Sequence, residues 1–208
     1  MTMFGRYHPS RLLRITAFAL AAAVHAVHPA AAGQEEGAPA SFARLLKEAD
    51  LELRLPADFR EIPPPGNDVY AFDKAWVSAD GKIEIRLAVR PIARMVIEYD
   101  DPHSSAPDPD DIHSMAFTAL IGQFARQGSM PARDIPHAQA RRTFNADWAA
   151  LATFGADPEL NPRHAEAMLL ALHRMRTADV YVLFLYDDPA AARERLKRLL
   201  KVVRFRHA

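Results

Sequence analysis

The chain of 208 residues contains no cysteine. That absence excludes disulfides, thiolate nucleophiles, cysteine-ligated zinc, iron–sulfur clusters and lipid attachment through a cysteine. Net charge is also missing, because 26 basic residues meet 26 acidic ones. No electrostatic footprint for nucleic acid follows from such a balance. Glycine is scarce at eight residues, and neither standard glycine-rich phosphate loop occurs. The hydrolase elbow Gly-x-Ser-x-Gly and the zinc motif His-Glu-x-x-His are absent too. No apolar run reaches the roughly 18 to 20 residues that a spanning helix needs.

The longest apolar stretch, residues 15–27, follows Arg6, Arg11 and Arg14 and precedes the small triplet Ala30, Ala31, Ala32. A basic start, an apolar middle of this length and small residues at the end predict a secretory signal peptide over residues 1–32. An uncleaved anchor is the alternative reading. Cleavage after Ala32 leaves 176 residues with a net charge of about −3, since three basic residues leave with the signal. The expectation is an exported protein, periplasmic or secreted. It comprises a flexible leader at 33–40, rich in Gly, Glu, Ala and Pro, and one domain at 41–208.

Within that domain Ser41 is placed to cap a short helix whose Phe42, Leu45 and Leu46 face inward. Leu51, Leu53 and Leu55 alternate with polar residues as a half-buried strand does. Tyr70, Phe72 and Trp76 fall on one parity of the next extended segment. Asp80 and Gly81 read as a hairpin turn that takes positive φ at both residues. Beyond it Ile83, Ile85, Leu87 and Val89 alternate with Lys82, Glu84, Arg86 and Arg90 over a full strand.

A helix is predicted over about 109–127, with Ile112, Met115, Ala116, Ala119, Leu120 and Phe124 on its apolar face and Gly128 ending it. Residues 138–144 and 148–154 read as one strand broken at Asn145, Ala146 and Asp147. An antiparallel pair at 166–175 and 179–186 follows. The second member is apolar or aromatic throughout from Val180, as a central strand covered on both faces requires. Asp187 or Asp188 caps a last helix with Pro189 in its first turn, and Ala192, Leu196, Leu199, Leu200 and Val203 form its stripe. This order predicts an α+β fold, an α/β/α sandwich with a central, mainly antiparallel sheet.

The opening phrase Leu55, Pro56, Ala57, Asp58, Phe59, the hairpin phrase 84–91 (EIRLAVRP) and the closing phrase 181–187 (YVLFLYD) before a C-terminal helix resemble the Mog1/PsbP-like family over most of residues 50–205. The resemblance implies that fold and a non-catalytic accessory role, binding a protein partner or assisting assembly. It carries no functional motif that assigns a residue.

The remaining candidates have plain readings beside the chemical ones. Asp100, Asp101, Asp108, Asp110 and Asp111 with His103 and His113 form an acid-rich segment able to hold a hard divalent cation weakly. Its spacing departs from the EF-hand pattern. Asp108 as a cap, Pro109 at the first position and two further acids at the positive helix end explain the same residues. His164 and Glu166 repeat a deaminase phrase without its cysteines. His173 in an apolar strand is a hydrogen-bonded core histidine or a general base. Asp147 and Asp157 could pair only in space. On the last helix Arg193, Lys197, Arg198 and Lys201 oppose the apolar stripe, as a solvated face, an acidic-partner site or an anionic-lipid contact would. Trp76 and Trp148 either pack in the core or line a pocket.

The primary expectation is therefore an exported, non-catalytic binding module for a protein or small ligand, with no cofactor beyond a weak divalent cation. A metal-dependent hydrolase built on residues 100–111 and the histidines is the second reading. An envelope-associated structural protein held by the basic helix is the third.

Overall fold

In a computed structural model of the protein, the described residues are 38–65, 70–95, 107–126 and 132–206. The expected signal peptide, most of the leader, the expected stop at Gly128, and Asp100, Asp101 and His103 lie outside them. The chain divides into two units, Met1–Ala32 and Gly33–Ala208, and every described residue belongs to the second.

Helix α1 covers Ala38–Glu48 and starts before Ser41, which sits inside the helix instead of capping it. Strand β1 (Leu51–Leu53) pairs antiparallel with β9 (Val203–Phe205) in a separate two-stranded ribbon. The main sheet has seven strands in the order β2 (Phe59–Ile62), β3 (Lys74–Ser78), β4 (Ile83–Pro91), β8 (Ala178–Tyr186), β7 (Glu166–Arg174), β6 (Trp148–Gly155) and β5 (Ala132–Asp134). Every neighbouring pair is antiparallel. The α+β sandwich with a mainly antiparallel central sheet is thus what the chain forms. The apolar strand β8 lies fourth of the seven, and all nine of its residues are buried.

One face of the sheet carries α1, α3 (His137–Phe144), α4 (Pro189–Leu199) and the ribbon, through Phe42, Phe144, Leu196 and Phe205. The other carries α2 (His113–Phe124) with Phe72 and Leu160. Helices on both faces explain why β8 is apolar on both parities.

Several local expectations change in three dimensions. Residues 138–144 are helix α3, not the first half of a strand. Ala140 and Phe144, four apart, bury one side, and Asn145 ends the helix in the left-handed region at φ 53°, a conformation asparagine tolerates. Tyr70 and Phe72 pack on the α2 face while Trp76 packs on the other. The Asp73 N–H bonds to the Leu87 carbonyl although Lys74 is already opposite Leu87. Two residues therefore oppose one, and the parity flips as at a bulge.

Helix α2 begins after a single 3-10 turn, Pro109–Asp111, which Asp108 caps by accepting from the Asp110 N–H at 2.9 Å. Its buried face is Phe117, Leu120, Ile121 and Phe124. Met115 is 60% exposed and Ala119 is exposed, so the stripe is rotated from the expected one. Helix α4 is capped by Asp188, which accepts from Ala190 and Ala191 N–H at 2.9 and 3.0 Å. It ends at Leu199, and Val203 belongs to β9.

The β3–β4 hairpin is present as expected, but positive φ occurs at Gly81 (69°) and not at Asp80. Asp80 instead accepts from the Ser78 hydroxyl at 2.6 Å and the Lys82 N–H at 3.2 Å. These bonds, led by the Ser78 hydroxyl and joined by Arg195, pull its carboxyl down to about 2. A carboxyl whose folded value lies below its unfolded 3.8 stabilises the fold above the unfolded value and loses that contribution as pH falls through the folded one. Asp80→Asn should therefore flatten the acid limb of the stability curve between about pH 4 and about 2. Urea midpoints measured across that window check it, and parallel curves for both proteins would refute it.

Candidate functional site

The sheet register brings four polar or aromatic residues into one row on the α2 face. Arg90 of β4 is opposite Asp179 of β8, Asp179 is opposite His173 of β7, and His173 is opposite Trp148 of β6. His173 is 2% exposed and its Nδ1 is 2.7 Å from Asp179 Oδ1. A carboxylate oxygen only accepts, so Nδ1 carries the proton in this contact. His113, at the start of α2, stacks on His173 with centroids 4.1 Å apart and planes 13° from parallel. Its Nδ1 donates to the Asp110 carbonyl at 2.8 Å, and Trp148 tilts against it at 4.8 Å.

Asp179 also accepts from the Tyr181 hydroxyl at 3.5 Å, and burial pushes that phenol well above its ordinary value. Burial likewise pushes Tyr70 up to about 12, with the Arg90 guanidinium opposing the rise. Arg90 is held over the Tyr70 ring at 5.1 Å and donates to Asp73 Oδ2 at 3.0 Å and to the Ala71 and Val89 carbonyls.

A general base must be within hydrogen-bond reach of its substrate. His173 has one nitrogen on Asp179, one ring face under His113, and its Nε2 3.8 Å from Asp110 Oδ1. The Asp110 oxygen in turn accepts from the Arg176 N–H at 2.8 Å. These groups tie α2, the preceding turn and the β7–β8 turn to the end of the sheet. Trp148 is half-buried here against Phe117 and His113, and Trp76 is buried against Phe42.

A second cluster lies at the opposite end of the same face. Glu84 and Arg86, polar members of the β4 alternation, are 0% and 1% exposed. Arg86 Nε donates to Glu84 Oε1 at 2.6 Å and its Nη1 donates to the Leu160 carbonyl at 2.9 Å. Arg163, whose side chain is 62% exposed, donates to Glu84 Oε2 at 2.8 Å. Burial pulls the Arg86 guanidinium down and Glu84 opposes it. Beside this triad His164 Nδ1 lies 3.1 Å from Asp187 Oδ2. The alternation of Glu84 and Arg86 with apolar neighbours carried no sign of burial. The cover comes from residues about 75 positions away, and only an opposite-charge pair two apart on one strand face hinted at it.

Of the metal candidates, Asp108 is a cap and Asp110 faces Arg176 and His173. Among the described residues no three ligand-type side chains are placed to hold a metal. Asp147 accepts from Arg141 and the Met175 N–H, and Asp157 from the Glu159 N–H, so these two carboxylates, at opposite ends of β6, do not form a pair. A cavity of about 210 Å³ beside Arg90 is lined by Leu45, Asp73, Val89, Pro91 and Arg94. Its charges are matched by Asp73 on Arg90 and Glu48 on Arg94. Arg193, Lys197 and Arg198 on α4 are exposed, and so is Lys201, which lies in the turn after the helix and not on it. Among the described residues no helix is long and apolar enough to cross a membrane.

The fold and these clusters define an α+β domain in which the polar groups of the His173 row and of the Glu84 triad are paired within their clusters. No family model and no curated protein matches the chain. Among solved structures it is similar to the solution structure of cyanobacterial PsbP (CyanoP) from Synechocystis, at 8% identity and a TM-score of 0.40. The match covers 76% of this chain and 88% of that one. A likeness so distant decides neither family nor role, and the fold class rests on the sheet order described above.

Proposed function

We propose that this protein is an exported, non-catalytic binding or accessory module. The observation that carries the reading is the state of its best chemical candidate. His173 is buried, bonded to Asp179 and covered by His113, so it acts as a structural tie between α2 and the sheet. The triad of Glu84, Arg86 and Arg163 is likewise turned inward on its own members. Export is supported by the basic, apolar and small-residue succession at the N-terminus.

Crosslinking the tagged protein in its native cells, followed by mass spectrometry against a variant lacking residues 1–32, tests both parts. A reproducible partner recovered only with the exported form is the expected outcome. Recovery of the protein alone would overturn the binding reading, and equal recovery of the partner from both forms would overturn the export reading.

A further inference from the structure

The cations of α4 are followed, after the three residues 200–202, by those of the β1–β9 ribbon. Arg54 N–H bonds to the Val202 carbonyl at 2.7 Å, and Glu52 is opposite Arg204. This brings the strands beside Lys201 at the end of the helix. Along the helix, the turn and the ribbon stand Arg54, Arg193, Lys197, Arg198, Lys201 and Arg204, with Glu52 beside Arg54 and Arg204 and Glu194 beside Lys197. Six cations against two acids leave a surplus of four in a chain whose overall charges balance. Arg193, Arg198 and Lys201 have no ion-pair partner among the described residues, and Lys197, Arg198 and Arg193 all act on Glu194. Nearby acids are already matched: Asp50 pairs with Arg174, while Asp58 and Asp80 pair with Arg195 on the flank of the helix.

We infer that this surface docks an acidic segment of a partner protein, its carboxylates seated along α4 and the turn that follows it, from Arg193 to Lys201. The inference rests on the binding-module reading above. Two features favour a protein partner over an anionic membrane. Leu51, Leu196, Leu199, Val203 and Phe205 of the helix and ribbon are buried in the domain and Leu53 packs against its core, so none is free to enter the acyl region as an interfacial helix requires. Four of the six cations are arginines, whose planar forks match carboxylates two bonds at a time. Arg193 and Lys197 are four residues apart on α4, which spaces their charges about 6 Å apart along the helix. An extended or helical acidic segment can present carboxylates at that interval.

The test is fluorescence anisotropy of a labelled polyglutamate peptide titrated with the purified protein at low and at physiological salt. Binding that weakens as salt rises is expected. The combined reversal Arg193→Glu, Arg198→Glu, Lys201→Glu should reduce affinity at least about tenfold, and Arg133→Glu on the exposed edge strand β5 should leave it unchanged. Because the three residues are exposed, an unchanged thermal midpoint establishes that the reversed protein is folded. Equal binding by the reversed and original proteins overturns the inference. So does tighter binding to phosphatidylglycerol vesicles than to the peptide. If the partner found by crosslinking persists in the reversed protein, this surface is wrong while the binding-module reading stands. If neither form captures a partner, the reading itself fails.

Discussion

Glu84→Ala should cost about 3–5 kcal/mol of stability, because it leaves the Arg86 guanidinium buried with no opposing charge. Arg86 is 1% exposed, and its remaining bond is to the Leu160 carbonyl. A loss of that size takes up much of the roughly 5–15 kcal/mol that holds a domain together, and the thermal midpoint should fall on the order of 10 °C. The double change Glu84→Leu with Arg86→Met should cost much less than Glu84→Ala. It removes both charges and their desolvation together, leaving no orphan. Urea unfolding of the three proteins decides the matter. If Glu84→Ala lowers stability by under about 1 kcal/mol, water reaches Arg86 and the triad is not the buried unit described. Arg163→Ala should be milder, since its exposed side chain remains largely solvated and Glu84 keeps Arg86.

Phe184→Ala should cost about 3–5 kcal/mol by a different route, the loss of apolar burial plus the cavity left behind. Phe184 is fully buried in the fourth strand of seven and lies in the core shared with α1, α3 and α4. Neighbours on both sides, Ile85 and Met168 in register, are fixed by their own ladders and cannot collapse into the gap. The urea midpoint should fall with the slope unchanged, since the surface exposed on unfolding is nearly the same. A slope that also changes would show that the substitution altered the compactness of one of the two states. A midpoint shift no larger than that of an edge-strand control such as Phe59→Ala would contradict the central placement of β8.

How much of this was legible in the sequence differs between elements for physical reasons. The β3–β4 and β7–β8 hairpins announce themselves locally, through turn residues between alternating or continuous apolar runs, and both were found. Helix α4 carried its own cap and proline and was found as well. Helix α3 reads as strand in the sequence and is helix in the fold. In eight residues Ala140 and Phe144 are its only buried positions, too few to set a period of 3.6 apart from one of 2. The rotated face of α2 failed for a related reason, since alanines and a methionine near its start suited several stripes equally. Strands β2, β5 and β9 have three or four residues each, and such short segments are defined by the partner they pair with.

The site shows the same division. Asp108 as a cap and His173 as a bonded core histidine follow from residue type and local context, and the structure agrees with both. The row joining Arg90, Asp179, His173 and Trp148 follows only from strand order, which places β8 between β4 and β7. The burial of Glu84 and Arg86 is not legible in the sequence, because alternation says which residues share a face but not what lies over that face.

By itself, then, the sequence determined the absence of thiol chemistry, the two long hairpins, the central character of β8 and the α+β class. Each is a matter of composition or of contacts close along the chain. Only the tertiary structure decided the sheet order, the burial of the Glu84 triad, the stacking of His113 on His173 and the union of α4 with the β1–β9 ribbon. Those depend on contacts between segments that a single strand or helix period cannot encode, because the period fixes a side chain's direction and the fold alone fixes what it meets.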